Sequence, residues 1–326
     1  MNVELTFPVG LDPNAPLFGT KLEDNGPERN AAVAQALATL ETIYIQWPPQ
    51  VEFHSRCDFL QKLGRATRGR PQKGMRVLAP TGSGKTTAAE QFVRLAHPPG
   101  SPGPCPIAHI ALETEATSKR LISSFLQWFG DSDANKGTEA TLKLRLYAYI
   151  ERFGTELLII DEVQHLNFRS GTKRDVTDTL KRFLDDGIVP IVFLGTEEAE
   201  GLFSRNLQLN GRLLAPCDLH PLNRANPNDR RNLHQFLTEL DVAMVQKGIV
   251  KQLSGLQHPW IRGCLNEVSA GLLGRICELL FEALQIALRR GSPCIEVFDL
   301  ALATDRWAIA QSFVKSNPFR TSGSAQ

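Results

Sequence analysis

The feature that most constrains this 326-residue chain is a short glycine-rich run that separates an apolar segment from a segment of good helix formers. Residues 79–86 read APTGSGKT, residues 75–79 predict a short buried strand, and residues 85–96 predict a helix. Gly82 and Gly84 allow backbone N–H groups to point inward at phosphate oxygens, and the helix start adds a partial positive charge. Strand, loop and helix in this order predict a nucleotide phosphate site rather than a chance turn.

The residues of this loop are expected to divide the contacts with the nucleotide. The Lys85 ammonium is predicted to reach the β- and γ-phosphates, and the Thr86 hydroxyl to ligate Mg²⁺. Ala79 stands where such loops usually begin with glycine; we expect it to be tolerated because it ends the strand, farther from the phosphates than Gly84. The residues expected to bind the nucleotide here are Thr81, Gly82, Ser83, Gly84, Lys85, Thr86 and Thr87.

Two acidic residues follow a second apolar run. Residues 157–160 read LLII and are followed directly by Asp161 and Glu162. A buried strand of a parallel sheet would place both carboxylates at the edge where open α/β sheets bind ligands. Asp161 is predicted to hold Mg²⁺, directly or through water, and Glu162 to activate the attacking water. Alone this pair is typical of a solvated strand end; together with the upstream loop it predicts ATP hydrolysis.

Strands and helices alternate from residue 75 to residue 194, which predicts an α/β fold: a parallel sheet with helices on both faces. From Asn226 onward only helices are predicted, and these would form a small helical lid. The expected organisation is an N-terminal extension at 1–42, a nucleotide-binding domain at 43–222, the lid at 223–311 and a flexible tail at 312–326.

Thr196 follows the apolar run 188–194, which predicts another buried strand. Its hydroxyl could sense the γ-phosphate and the attacking water, or it could cap a short helix over residues 197–203; both roles are compatible. Arg275, at the start of the long helix predicted for 272–290, could reach over the nucleotide from the lid. An exposed helix arginine is an almost equally good interpretation.

The order of loop, acid pair, polar strand end and helical lid resembles the initiator-like group of AAA+ ATPases. Within that group the chain resembles the transposon ATPases TniB and TnsC, relatives of the phage Mu B protein. The resemblance is carried by residues 43–53, by IIDEVQHL at 159–166, by GTEEA at 195–199 with QLNGR at 208–212, and by NPF at 317–319.

This resemblance implies an ATP-dependent oligomer, a ring or a helical filament, on double-stranded DNA. It further implies that the protein marks a target site together with a target-selector protein and recruits a DDE transposase. By position in the family, Arg212 rather than Arg205 would enter the ATP site of a neighbouring subunit and stabilise transition-state charge. Gly211, immediately before Arg212, departs from the family pattern.

Any DNA contact must come from local basic clusters, because the formal net charge is only +1. Hydroxyls, a helix start and two cations make residues 117–120 one candidate, and a basic segment after the acid pair is the other. A solvated helix end explains each cluster about equally well. The candidate DNA-binding residues are Thr117, Ser118, Lys119, Arg120, Arg169, Lys173 and Arg174. No aromatic-interleaved basic run is found, so binding should tolerate any sequence and weaken with salt.

Two alternatives remain from the sequence: an initiator-like or helicase-loading ATPase without a transposase, and a nucleotide-switched scaffold. Glu162 argues against a scaffold that does not hydrolyse ATP. Residues 1–10 do not show the basic and then apolar pattern of a signal peptide, no apolar run is long enough for a membrane, and the six cysteines lack CxxC spacing. We therefore expect a cytoplasmic protein with reduced thiols and no membrane partner.

Overall fold

The structure is a computed structural model that describes residues 26–114, 116–166 and 176–320. The chain forms two compact units. One unit is Pro48–His220, and the other combines the chain before Pro48 with the chain from Pro221 onward. The helices are α1 (Pro27–Glu41), α2 (Pro48–Ala66), α3 (Lys85–Ala96), α4 (Ser118–Trp128), α5 (Glu139–Arg152), α6 (Val176–Asp185), α7 (Glu200–Arg205), α8 (Leu207–Asn210), α9 (Pro227–Gln246), α10 (Pro259–Ser269), α11 (Leu273–Arg290) and α12 (Val297–Ala303).

The unit Pro48–His220 is built on a parallel sheet of β1 (Gly74–Leu78), β2 (Ile107–Ala111), β3 (Leu157–Asp161) and β4 (Ile191–Gly195). Their spatial order is β1-β4-β3-β2. Leu78 pairs with Gly195, and Ala111 pairs with Asp161, so the strands end together at one edge. This edge, called the carboxyl edge below, carries both the loop after β1 and the acidic residues at the end of β3.

Helices cover both faces of this sheet, as the fold class predicted from the sequence requires. Because strand side chains alternate, Val77, Ile159 and Val192 pack against α2 and α3 on one face. Ile160 and Phe193, on the other face, pack against the buried side of α4 to α7. The strands therefore have a hydrophobic core on each side, which explains why their sequences are almost continuously apolar.

A further segment lies along the outer edge of β1. The N–H of Gly74 donates to the carbonyl of Arg212 at 3.0 Å, and the N–H of Leu214 donates to the carbonyl of Gly74 at 2.8 Å. The N–H of Cys217 then bonds to the carbonyl of Arg76 at 3.1 Å. These bonds satisfy backbone groups that an uncovered edge strand would leave exposed.

The second unit is helical, and it contains parts of both terminal segments. Val33 and Leu37 of α1 belong to the same hydrophobic core as the buried side of α11. Phe319 is also buried there, edge-on to Trp260 at 5.9 Å. Residues 1–42 and 312–326 were proposed as an extension and a tail; their described parts contribute side chains to this core.

The strands and helices predicted from the sequence occur close to their expected positions. Pro48 and Pro49 open α2, because proline lacks only an N–H that the first helical turn does not use. Helix α10 was not predicted. The last helix leaves α-geometry after Ala303 and continues as a π-helical segment, Thr304–Ile309. Within the described ranges, no helix combines the length and apolar character needed to span a membrane.

Candidate functional site

The loop after β1 has the backbone geometry that phosphate binding requires. Gly82 and Gly84 have φ of 84° and 88°, a left-handed conformation that side chains strongly disfavour. Gly84 occupies the N-cap position of α3. Ala79, at the position where such loops usually have glycine, is 2% exposed, and its methyl packs in the core beside α2 and α3. A methyl at this position therefore faces the protein interior.

Lys85 begins α3 and is 7% exposed. Its ammonium donates to the carbonyls of Ala79 at 2.7 Å and Pro80 at 3.1 Å, so the loop wraps around the charge. Burial lowers the pKa of Lys85 and outweighs the nearby acidic residues, which raise it. A buried cation that is bonded chiefly to neutral carbonyls is well suited to attract the charge of a phosphate.

Thr86 and Asp161 lie side by side, although they are 75 residues apart in sequence. The Thr86 hydroxyl donates to Asp161 Oδ2 at 2.7 Å, and the backbone N–H of Glu162 donates to Oδ1 at 2.8 Å. Burial raises the pKa of Asp161, but these two bonds and the nearby His109 imidazole outweigh it, so the net pKa is lowered. His109 Nε2 is 3.7 Å from Asp161 Oδ2, beyond a normal hydrogen bond.

Glu162 follows in a left-handed backbone conformation, with φ of 58°. Its carboxylate accepts a hydrogen bond from the Gln164 side chain, whose other end accepts the N–H of Thr196 at 3.0 Å. The buried Thr196 hydroxyl has no hydrogen-bond partner among the described residues, and its side chain does not cap the turn Glu197–Ala199. Gln164 was not predicted as a site residue; its sequence signals are its position two residues after Glu162 and its place in the segment 159–166 that carries the family resemblance.

These residues fit a nucleotide with Mg²⁺. The Thr86 hydroxyl and the Asp161 carboxylate are oxygen donors of the kind that Mg²⁺ prefers. Ser83 is buried, whereas Thr81 and Thr87 are exposed beside the loop. Arg275 belongs to the helical unit, where its guanidinium stacks over the ring of Phe313 at 4.2 Å. Its proposed contact with the nucleotide stays a prediction.

The candidate subunit-bridging arginine has a partner in its own chain. Arg212 Nε donates to Asp185 Oδ1 at 2.7 Å, and Lys181 lies 3.3 Å from the same carboxylate. The Arg212 side chain remains 37% exposed. Arg205, the alternative, ends α7 and is also exposed.

The candidate DNA-binding residues at the start of α4 differ in accessibility. Lys119 and Arg120 are exposed, and Arg120 pairs with Glu113 at 2.5 Å. The Thr117 hydroxyl caps α4 by accepting the N–H of Arg120 at 3.3 Å. Ser118 is 6% exposed, and its hydroxyl accepts a bond from Thr179 at 3.1 Å, so its side chain is not available to DNA. Arg169, Lys173 and Arg174 lie outside the described residues.

The model of the family described as "Bacterial TniB protein" matches residues 40–222, more than half of the chain. The chain belongs to the TniB family. None of the curated proteins matches it.

Solved structures resemble this TniB protein in fold. The Aeropyrum pernix ORC1 protein in complex with DNA matches with a TM-score of 0.52 and 17% identity, covering 87% of this chain and 66% of that one. Cdc6p from Pyrobaculum aerophilum matches with a TM-score of 0.58 and 14% identity, covering 82% of this chain and 70% of that one. The Aeropyrum pernix ORC2 protein in ADPNP–ADP complexes matches with a TM-score of 0.54 and 14% identity, covering 89% of this chain and 70% of that one. The chain spans about two thirds of these proteins, and the likeness confirms the fold of an AAA+ P-loop ATPase.

Proposed function

We propose that this TniB protein binds ATP with Mg²⁺ at the carboxyl edge and hydrolyses it. The observation that carries the proposal is the convergence of Lys85, Thr86, Asp161 and Glu162 from separate elements onto one small region. The hydrogen bond between Thr86 and Asp161 joins the loop after β1 to the end of β3. Such a set is what phosphoryl transfer needs, because catalysis there consists mainly of positioning and charge stabilisation.

Each side chain has a role that follows from its surroundings. Lys85 supplies positive charge to the phosphates from inside the loop. Thr86 and Asp161 would hold Mg²⁺, which would neutralise charge that develops on the phosphate oxygens. Glu162 accepts a proton from water as the water oxygen bonds to the γ-phosphorus and the bond to the ADP oxygen breaks. The unpartnered Thr196 hydroxyl is available to hydrogen-bond near that water.

We further infer that ATP drives assembly of this protein on double-stranded DNA, where it marks a target for a DDE transposase together with a target-selector protein. The support is membership of the TniB family, together with cations exposed outside the nucleotide site. Lys119 and Arg120 would contact DNA phosphates, and Arg212 would complete the ATP site of a neighbouring copy. ORC1 of Aeropyrum pernix was solved in complex with DNA, which supports the DNA part of the proposal.

The similarity to ORC and Cdc6 structures favours a second candidate, an initiator-like or helicase-loading ATPase that acts on DNA without a transposase. A DDE transposase gene beside the gene for this chain would favour the transposition role. Direct ATP-dependent capture of that transposase by the DNA-bound protein would test it. A nucleotide-switched scaffold is the third possibility, and it would not need Glu162.

The test of hydrolysis is Glu162→Gln, since glutamine cannot take the proton from water. We expect ATP binding to persist and the rate of phosphate release to fall by about 100-fold or more. The ATP-bound protein should also remain on duplex DNA longer in a mobility-shift assay. Glu151→Gln, at an exposed position of α5, is the matched control. Turnover at the wild-type rate in this variant would contradict the role of Glu162, whereas absence of turnover in the wild-type protein would favour the scaffold.

A further inference from the structure

The side-chain amide of Gln164 connects two residues with proposed catalytic roles. Its Nε2 donates to the Glu162 carboxylate, and its Oε1 accepts the backbone N–H of Thr196 at 3.0 Å. An amide has a donor and an acceptor on one planar group, so a single side chain can satisfy both bonds. We call this pair of hydrogen bonds the Gln164 bridge; it joins the end of β3 to the end of β4.

The backbone around Glu162 is shaped to make the Gln164 bridge. Glu162 adopts the left-handed conformation, which is uncommon for residues other than glycine and is a feature of strained functional sites. The 3-10 turn Val163–His165 begins directly after it. The resulting change in chain direction brings the side chain of Gln164 back to the carboxylate of Glu162, two residues earlier.

The other end of the Gln164 bridge depends on the absence of a side chain at Gly195. A Cβ at this position would lie 2.7 Å from Val163 Cγ2 and 2.9 Å from Gln164 Oε1, closer than real Cβ atoms approach. The φ of Gly195 is not in the left-handed region, so the constraint here is space. Glycine at the end of β4 therefore permits the close approach that lets Gln164 reach Thr196.

The Gln164 bridge leaves the groups that catalysis needs available. It uses the backbone N–H of Thr196 and not the hydroxyl, which is buried and has no partner in the described part of the chain. The bond from Gln164 is made to Oε2 of Glu162, and no described hydrogen bond is made to Oε1. One oxygen is thus held in place while the other can receive a proton.

We propose that Gln164 is a positioning residue: it fixes the Glu162 carboxylate relative to Thr196, so that both residues can hydrogen-bond the same water. This inference rests on the proposed hydrolytic function, and it adds Gln164 to the residues that serve it. In this proposal Gln164 acts on the water and the phosphates only through Glu162, with which it makes a direct hydrogen bond. Its removal should therefore lower kcat without changing the affinity for ATP.

Three substitutions separate positioning from packing. Gln164→Ala removes the side chain, Gln164→Met keeps its length and loses both bonds, and Gln164→Glu keeps the acceptor for Thr196 but loses the donor to Glu162. We expect each to lower kcat by about 10- to 100-fold, the loss of a hydrogen bond to a charged group. For Gln164→Met the Kd for a fluorescent ATP analogue should stay near wild type, and the Tm should fall by only a few degrees, since the Thr196 N–H loses its acceptor. Gln127→Ala, at an exposed position of α4, is the control.

Normal kcat in Gln164→Met or Gln164→Glu would overturn the proposal, because it would show that only the size of the side chain matters. An increase in kcat would overturn it as well, since the bridge would then restrain Glu162 instead of aligning it. A parallel loss of ATP affinity and kcat would indicate a general distortion of the site and would also count against positioning.

A double-mutant cycle tests whether Gln164 acts through Glu162. In a Glu162→Ala background, adding Gln164→Ala should change the residual single-turnover rate by less than about twofold, because the partner through which Gln164 acts is gone. Additive losses would show that Gln164 acts independently of Glu162 and would overturn the inference. If Glu162→Ala alone turned over normally, the proposed hydrolytic role of Glu162 would fail instead, so the two failures are distinguishable.

Discussion

The candidate nucleotide site and the candidate partner-facing arginines satisfy their charges in different ways. In the nucleotide site, Lys85 and Asp161 are 7% and 1% exposed, and they bond to loop carbonyls, a hydroxyl and a backbone N–H. Arg120 and Arg212 instead keep 48% and 37% of their side chains exposed, and each pairs with an acidic residue of its own chain. One region encloses its charges in hydrogen bonds, whereas the other holds charge at the surface.

This difference indicates what each region needs in order to work. Exposed ion pairs contribute little to stability, typically less than about 1 kcal/mol, so another anion can replace the carboxylate at small cost. A phosphate of DNA could displace Glu113 from Arg120, and an ATP held by a neighbouring copy could displace Asp185 from Arg212. The buried groups at the carboxyl edge can exchange partners only for a ligand that replaces each lost bond, because leaving them unpaired would be costly.

The largest effect is expected for Arg212→Ala, which tests whether a surface arginine belongs to the site of another copy. ATP binding by the monomer should be largely unchanged, while ATP-dependent assembly on DNA weakens and hydrolysis by the DNA-bound assembly falls by about 1,000-fold, the contribution of such an arginine. Steady-state phosphate release measures hydrolysis, and size-exclusion chromatography with ATP and DNA measures assembly. Arg94→Ala is the control, since it removes an exposed arginine that pairs with Glu90 at 3.8 Å.

Mixing Arg212→Ala protein with Lys85→Ala protein tests whether Arg212 acts in the ATP site of a neighbouring copy. Some interfaces then combine an intact loop with an intact Arg212, and these should regain activity. If the two variants co-assemble and the mixture remains inactive, Arg212 is not the bridging residue. Arg205 then becomes the candidate.

The next effect in size is expected for Lys85→Ala, within the candidate nucleotide site. Removing the ammonium should weaken ATP binding by about 100-fold, because a charge-assisted contact to the phosphates is lost. Isothermal titration calorimetry measures the change directly. Lys62→Ala removes a lysine that is 68% exposed and pairs with Asp58, and it should leave affinity unchanged. Tight ATP binding by Lys85→Ala would refute the assignment of the loop.

The smallest effect is expected at the start of α4. Lys119→Ala combined with Arg120→Ala should weaken duplex binding and reduce the log–log salt slope by about 1.8, since each lost phosphate contact removes about 0.9. Fluorescence anisotropy over a salt series gives the slope. Lys62→Ala with Arg65→Ala removes two exposed cations from α2 and should leave the slope unchanged. An unchanged slope in the first variant would move the DNA surface elsewhere, with residues 169–174 next to test.

Local signals predicted the parts of the molecule whose conformation depends on nearby residues. Lys85–Ala96 begins and ends where the glycine-rich loop and Pro98 imply, and α9 begins at Pro227 after the Asn226 cap. Helix α10 escaped prediction: its sequence, PWIRGCLNEVS, includes Gly263, a residue that disfavours helix and lies close to the Arg224 guanidinium. The burial of Ser118 could not be predicted from nearby residues either, because its hydrogen-bond partner Thr179 is 61 residues away.

By itself, the sequence determined the loop at 79–86, the apolar strand before Asp161, and the alternation that requires a parallel sheet covered on both faces. These follow from φ preferences and from the periodicity of apolar residues, which act within a few residues of chain. Tertiary structure alone decided the order β1-β4-β3-β2. That order places β4 between β1 and β3, so that Gly195 meets the turn after Glu162 and Gln164 reaches Thr196. Contacts of this kind depend on which strands become neighbours, and packing of the whole core selects those neighbours.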